Sequence, residues 1–289
     1  MKKLKHIIIS ILYYLPHKTA HKILYKKRTG KKLNLSNPTD FNEKIHYLIV
    51  NEYSNALYTN LVDKYNVRFW IQDKGYKKLL PHLYNVYENI NDIDFNELPN
   101  TFVLKPNNGC GNVWICTDKS KFNIKKCKIE LNKSLKSNFA KKALEYQYAN
   151  INPKIICEEY LDDKKNLMPN DYKFYCFDGE VDCILVCSNR HENLKLNYYD
   201  LNWNKLNYAL KKFESKKEIE KPKCLEEMIQ ICKKLSKNFK FVRIDLYEIS
   251  GKVYFGEMTF SPAAGNVYYN TKEALDYFGS KIKIENKSN

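Results

Sequence analysis

The chain has no apolar run long enough to cross a bilayer, no Cys-x-x-Cys pair, little arginine and no internal repeat. Each absence closes a class. The apolar stretch Ile7 to Leu15 falls far short of the roughly 20 residues a spanning helix needs, and the Pro16-His17-Lys18 that follows is no small-residue cleavage site. Neither a transmembrane helix nor a signal peptide is expected, and the expected location is cytoplasmic. The basic N-terminus could pack on the protein's own core or lie at the inner face of an anionic membrane. The nine cysteines, an odd number, fall mostly within apolar patterns (Cys116, Cys157, Cys176, Cys183, Cys187 and Cys232), and the pair at 183 and 187 lacks nearby histidines. They read as reduced core thiols, not as a zinc site. Scarce arginine, without a helix-turn-helix, zinc-finger or RNA-recognition signature, argues against nucleic acid.

What is present is a globular chain of 289 residues, 44% hydrophobic and 14% aromatic, long enough for one large domain or two of moderate size. Its net charge of +16 is dominated by lysine. Such a balance suits acidic or phosphorylated substrates or an anionic surface.

The most informative stretch is Phe241 to Gly265, FVRIDLYEISGKVYFGEMTFSPAAG. Alternation and a Ser-Gly break predict a β-hairpin. With a three-residue loop, Ser250-Gly251-Lys252, residue 249 pairs with 253 and Asp245 lies opposite Glu257. Asp245, Glu257, Arg243 and Thr259 then share one face, and Val242, Ile244, Leu246, Tyr254 and Met258 the other. Two carboxylates so placed repel by about 4 kcal/mol at an effective dielectric of about 20. A raised pKa, the neighbouring Arg243 or a divalent cation such as Mg²⁺ would offset this; an exposed hairpin neutralised by lysines is the alternative.

Taken in order, residues 16 to 37 read as a basic connector. A helix begins near Asp40, capped with Glu43 three positions on, and buries Phe41, Ile45, Leu48 and Ile49. A second is expected over Asn60 to Lys74, burying Leu61, Tyr65 and Phe69 and leaving Asp63, Lys64 and Arg68 on a solvated face. Strands at Thr101 to Lys105 and Val113 to Thr117 flank Pro106-Asn107-Asn108-Gly109-Cys110-Gly111-Asn112, which matches neither the Walker nor the dinucleotide pattern. Its glycines would let backbone amides approach an anion, with Lys105 as a point charge; many surface hairpins look the same. The apolar strand Lys154 to Leu161 ends in two consecutive acids, Glu158 and Glu159, which is unusual for a strand entering a core. Asp171 to Phe177 aligns Asp171, Lys173 and Tyr175, and Val181 to Asn189 delivers Arg190. A hairpin around Tyr198 to Leu206 uses Trp203 for packing. A helix from Cys224 to Lys237 feeds the carboxylate hairpin.

LSNPTDFNEKI, DKYNVRFWI, LPNTFVLKPNNGCGN, DYKFYCFDG, FVRIDLY and FGEMTFSPAAG, in that order, resemble the ATP-grasp superfamily and most closely its teichuronopeptide-biosynthesis (TupA-like) branch, over about residues 33 to 284. The resemblance implies an α+β ATP-grasp fold: two subdomains with antiparallel sheets and flanking helices that hold ATP, plus a helical N-terminal extension. The implied division is residues 1–60, 61–157 and 158–285. It further implies that Lys105 and the loop with Asn107, Asn108, Gly109 and Gly111 contact the ATP phosphates. Glu159, Tyr160 and Leu161 would flank adenine, Asp171 would lie near the ribose or base, and Lys173 would reach the phosphates. Arg190 and Arg243 would act on the transferring group and substrate, Asp245, Glu257 and Thr259 would hold Mg²⁺, and Ser261 and Gly265 would line the substrate side. Thr259 stands where most of the superfamily has Asn. The implied activity is ATP-dependent joining of a carboxylate, such as a uronic acid or acidic peptide of a surface-polysaccharide precursor, to an amine. A glycosyltransferase of the same biosynthesis and a non-catalytic basic surface protein are the alternatives; Asp200 in Asp-Leu-Asn is a poor sugar-nucleotide metal motif.

Overall fold

The computed structural model describes residues 9–163, 169–188, 195–215 and 218–284. The chain falls into two compact units, Ser54–Met168, and Met1–Tyr53 with Pro169–Asn289. These divisions differ from the boundaries at 60/61 and 157/158 read from the sequence.

In the unit Ser54–Met168, strands β1 (Leu83–Tyr87), β2 (Phe102–Pro106), β3 (Trp114–Cys116) and β4 (Ile155–Glu158) form an antiparallel sheet in the order β1-β4-β2-β3. Alternation sorts its faces. Phe102, Leu104, Ile155 and Cys157 meet Cys127 and Leu131 of the helix Ile124–Leu135 in one apolar cluster. Lys105, Ile156 and Glu158 occupy the alternate positions, with Lys105 paired to Ile156. Two helices, Ala56–Val62 and Asn66–Asp73, replace the single one expected over 60 to 74. The break falls at Asp63, whose carboxylate accepts the amides of Tyr65 and Asn66 and so opens the second helix.

The other unit carries a six-stranded antiparallel sheet in the order β10-β9-β5-β6-β7-β8. Its strands are β5 (Asp171–Phe177), β6 (Glu180–Ser188), β7 (Lys195–Tyr199), β8 (Lys205–Leu206), β9 (Val242–Ile249) and β10 (Lys252–Thr259). Phe174, Cys176, Val242, Ile244 and Leu246 are fully buried on one side, where the helix Leu225–Ser236 packs. On the other side Phe41 of the helix Phe41–Asn51 and Phe278 of the helix Lys272–Lys281 cover Tyr175. Asp40 caps the first of these through the Glu43 amide, as expected, whereas the Glu43 carboxylate turns back to Thr39 and Asn34. The region read as a connector from 16 to 37 holds a helix, His17–Thr29, which ends at Gly30 in the left-handed region and buries Ala20, His21, Leu24 and Tyr25. Trp203 stacks on Tyr199, in keeping with a packing role. All nine cysteines are free thiols. Among the described residues no helix is long and apolar enough to cross a membrane.

Candidate functional site

The β9–β10 hairpin brings Asp245 opposite Glu257, as the sequence predicts, but by a different route. The loop has two residues, not three: Ile249 pairs with Lys252, and Ser250 and Gly251 both take positive φ, the mirror-image turn whose twist matches its strands. Left there, the register would oppose Asp245 to residue 256. A β-bulge between Phe255 and Glu257 restores the acid pair. The two-residue loop also corrects the inner face of β10 before the bulge, where Phe255, paired with Leu246, is buried and Tyr254 is not. Glycine at 256 has a steric cause, since a Cβ there would stand 2.9 Å from the Asp245 carbonyl oxygen and 3.0 Å from the Tyr247 ring.

Around the acid pair the charges interlock. The Arg243 fork donates from Nε to Asp245 Oδ1 at 2.7 Å and from Nη2 to Oδ2 at 2.8 Å. Nη2 also reaches Glu257 Oε1 at 3.2 Å and Thr259 Oγ1 at 3.0 Å, and the Thr259 hydroxyl donates to Glu257. Lys173, directly opposite Asp245 on β5, pairs with both Asp245 and Asp171. Burial works against the Arg243 charge, but Asp245 and then Glu257 outweigh it and lift its pKa further above its ordinary range. Arg243 is a permanent cation here.

This set fits a hard divalent cation. Three carboxylates, Asp171, Asp245 and Glu257, face two fixed cations, which leaves negative charge in excess. The donors across β9 and β10 are oxygen only, two carboxylates and a hydroxyl, and the Glu257 side chain is 34% exposed. No cluster of three or more His, Cys, Asp or Glu side chains arranged for a metal occurs among the described residues, so the Thr259 hydroxyl would be needed as a third protein donor. Ser261 is buried, and after it Ala263, Ala264 and Gly265 all take positive φ. Gly265 lies against His46, where a Cβ would meet the ring at 3.1 Å. Arg190 lies outside the described residues.

In the unit Ser54–Met168 a second charged group surrounds Glu158. Its Oε1 pairs with Arg68 at 2.7 Å and its Oε2 with Lys105 at 2.5 Å, while Arg68 also donates to the Pro81 carbonyl. The acid that looks out of place in an apolar strand is buried but doubly paired. The expectation of a solvated face on the preceding helices is overturned, because Asp63 and Arg68 are buried and Phe69 is 51% exposed.

Those same helices hold the glycine loop. Both Asn107 amide hydrogens are engaged, by the Asp63 carboxylate and the Asn152 carbonyl, each at 3.0 Å, and its carbonyl accepts the Lys154 amide at 2.7 Å. The Lys64 ammonium caps the Gly109 carbonyl at 2.5 Å. Asn108 reaches the Ser137 carbonyl. Burial raises the Asp63 pKa, a shift resisted by the amides of Tyr65 and Asn66 and by Asn107. Asn107 and Asn108 are thus the foundation of the loop, and Cys110 to Val113 are its exposed tip. Gly109 is glycine because Phe139 packs over it, leaving 2.7 Å for a Cβ, and Gly111 because φ is +81°. Glu159 accepts the His82 amide at 2.7 Å and returns its own to the His82 carbonyl, and Tyr160 and Leu161 follow half-buried. Arg68, Asp63, Lys64 and Gly256 are the contributors that sequence reasoning missed. The available signals were a glycine inside a strand and a lone arginine among lysines.

Two antiparallel sheets with flanking helices, a glycine hairpin with a strand lysine, and paired strand carboxylates define an α+β protein. A family model described as TupA-like ATPgrasp matches residues 43–283, and the chain belongs to that family. Similar solved structures include a D-alanine–D-alanine ligase from Bacillus anthracis complexed with ATP, at 17% identity and a TM-score of 0.40, covering 83% of this chain and 62% of that one. The ATP-grasp ligase PsnB complexed with minimal precursor gives 13% identity and a TM-score of 0.41, covering 82% and 67%. The D-cycloserine synthetase DcsG gives 13% and 0.41, covering 80% and 74%. The chain spans 57% to 62% of the length of the Bacillus anthracis ligase structures it matches. No curated protein matches it.

Proposed function

We propose that the protein is an ATP- and Mg²⁺-dependent carboxylate–amine ligase acting in the cytoplasm on a uronic acid or other acidic group of a cell-surface polysaccharide precursor. The observation that carries this reading is the gathering of Asp245, Glu257, Thr259, Arg243 and Lys173 around one network of hydrogen bonds and ion pairs. Family membership supports it independently.

In this reading a carboxylate oxygen of the substrate attacks the γ-phosphorus of ATP, the bond to the β–γ bridging oxygen breaks and ADP leaves. The acyl phosphate is then attacked by an amine, so that an amide and inorganic phosphate form and the amine gives up a proton. Asp245, Glu257 and Thr259 would hold Mg²⁺, whose positive charge would offset that of the nucleotide phosphates. Lys173 and Lys105 would neutralise phosphate oxygens, and the amides of Gly109 and Gly111 would approach them. Arg243 holds the Asp245 carboxylate in one orientation through its fork. Asp171 orients Lys173, and Arg190 would steady the transferring group. Glu159, Tyr160 and Leu161 would flank the base, and Ser261 and Gly265 the acceptor. No protein nucleophile is required.

The test is a matrix of uronic acids and acidic peptides against small amines and amino acids, with ATP and Mg²⁺. ADP release that needs both partners, with a product mass equal to their sum less water, supports ligation. ADP release indifferent to either partner, or a nucleoside diphosphate freed from a sugar donor, would sink it.

A further inference from the structure

Positive charge is not spread evenly. Before Asp40 the sequence holds ten lysines and arginines and no acid, against a net charge of +16 for the whole chain. Within this segment the helix His17–Thr29 turns Ala20, His21, Leu24 and Tyr25 inward and leaves Lys18, Lys22 and Lys26 exposed at successive i, i+4 positions. Like charges in that spacing destabilise a helix, so the row is costly unless something outside the helix offsets it. No ion pair among the described residues involves these three lysines.

Beside the row the chain exposes large apolar side chains, with Ile11 62%, Tyr14 72%, Leu15 37% and Ile23 42% exposed. Aliphatic groups next to lysines suit a lipid headgroup and acyl boundary, where apolar burial and attraction to anionic headgroups add together. A tyrosine at the margin suits it equally. Nucleic acid would favour arginine and stacked aromatics instead, and this helix has one arginine.

We infer that Ile11 to Lys27 is a docking surface for an anionic phospholipid membrane. This surface is independent of the ligase reading, since it shares no residue with that site.

The test is vesicle flotation of the full chain. It should float with phosphatidylcholine vesicles containing about 30% phosphatidylglycerol, stay behind with phosphatidylcholine alone, and release at about 1 M salt, where screening is nearly complete. Lys18→Gln/Lys22→Gln/Lys26→Gln should lower partitioning about 100-fold, at roughly fivefold per charge. Leu15→Ser/Ile23→Ser should weaken it at every salt concentration. Circular dichroism and thermal unfolding confirm that each variant is folded. Equal binding to neutral and anionic vesicles, binding to neither, or unchanged partitioning of the folded triple variant would overturn the inference. So would single-stranded RNA binding that the Leu15→Ser/Ile23→Ser variant leaves intact while vesicle binding is absent.

Discussion

Gly256 faces the Asp245 carbonyl so closely that a Cβ would stand 2.9 Å from the oxygen, and that close approach lets the bulge put Glu257 opposite Asp245. Gly256→Ala should therefore strain the hairpin by about 1–3 kcal/mol, the usual range for overpacking. Urea unfolding would measure the loss, and the thermal shift given by Mg²⁺-ATP should shrink with it. A variant as stable as the parent would mean that the bulge relaxes freely.

Glu257→Gln separates stability from chemistry. One member of a repelling acid pair becomes neutral, so the free protein should change by less than about 1 kcal/mol, while Mg²⁺-ATP turnover should collapse. Arg243→Lys should do the reverse to the scaffold, because an ammonium cannot reproduce the two parallel bonds to Asp245 and the bridge to Glu257. Stability should fall by about 2–4 kcal/mol, in line with damage to a buried pair. Calorimetry on both variants would show whether these effects separate.

Glu158 is shared by Arg68 and Lys105 inside one unit. Arg68→Met removes one partner and leaves a buried carboxylate with Lys105 alone, which should cost about 3 kcal/mol. Combining it with Glu158→Gln should cost much less than the sum of the two single changes. Additive losses in chemical denaturation would deny the coupling.

His46 predicts a pH dependence. It is fully buried, with its Nδ1 2.6 Å from that of His21, and burial followed by His21 drives its pKa well below the ordinary 6.5. The folded protein keeps it neutral while the unfolded chain takes up a proton. This contribution to stability is present above pH 6.5 and is lost as pH falls, with a slope of up to about 1.4 kcal/mol per pH unit. Unfolding measured from pH 7 to 5 should show the slope, and His46→Phe should flatten it.

Much of this architecture is legible in residue order. Alternation in FVRIDLYEI predicts β9, Asp40 with Glu43 predicts a cap, and the buried cysteines follow from their apolar neighbours. The register of β10 is harder, because a strand with one extra residue alternates on each side of it and breaks phase only at Gly256. The helices around Asp63 are harder still. A 3.6-residue pattern scores Asp63 and Arg68 as solvated, and only their partners Asn107 and Glu158, some 44 and 90 positions away, make burial tolerable.

By itself the sequence determined which groups are available: the acids of β9 and β10, the lysines of β2 and β5, the glycines of the loop and the cationic segment before Asp40. Local preferences suffice for these, since period, turn residues and charge are properties of neighbours along the chain. Tertiary structure alone decided who pairs with whom. Arg243 and Lys173 hold Asp245, Arg68 and Lys105 divide Glu158, and Asn107 ties the loop to Asp63. The physical reason is desolvation: a buried charge or amide must find a partner wherever the fold can supply one, and sequence distance does not limit the choice.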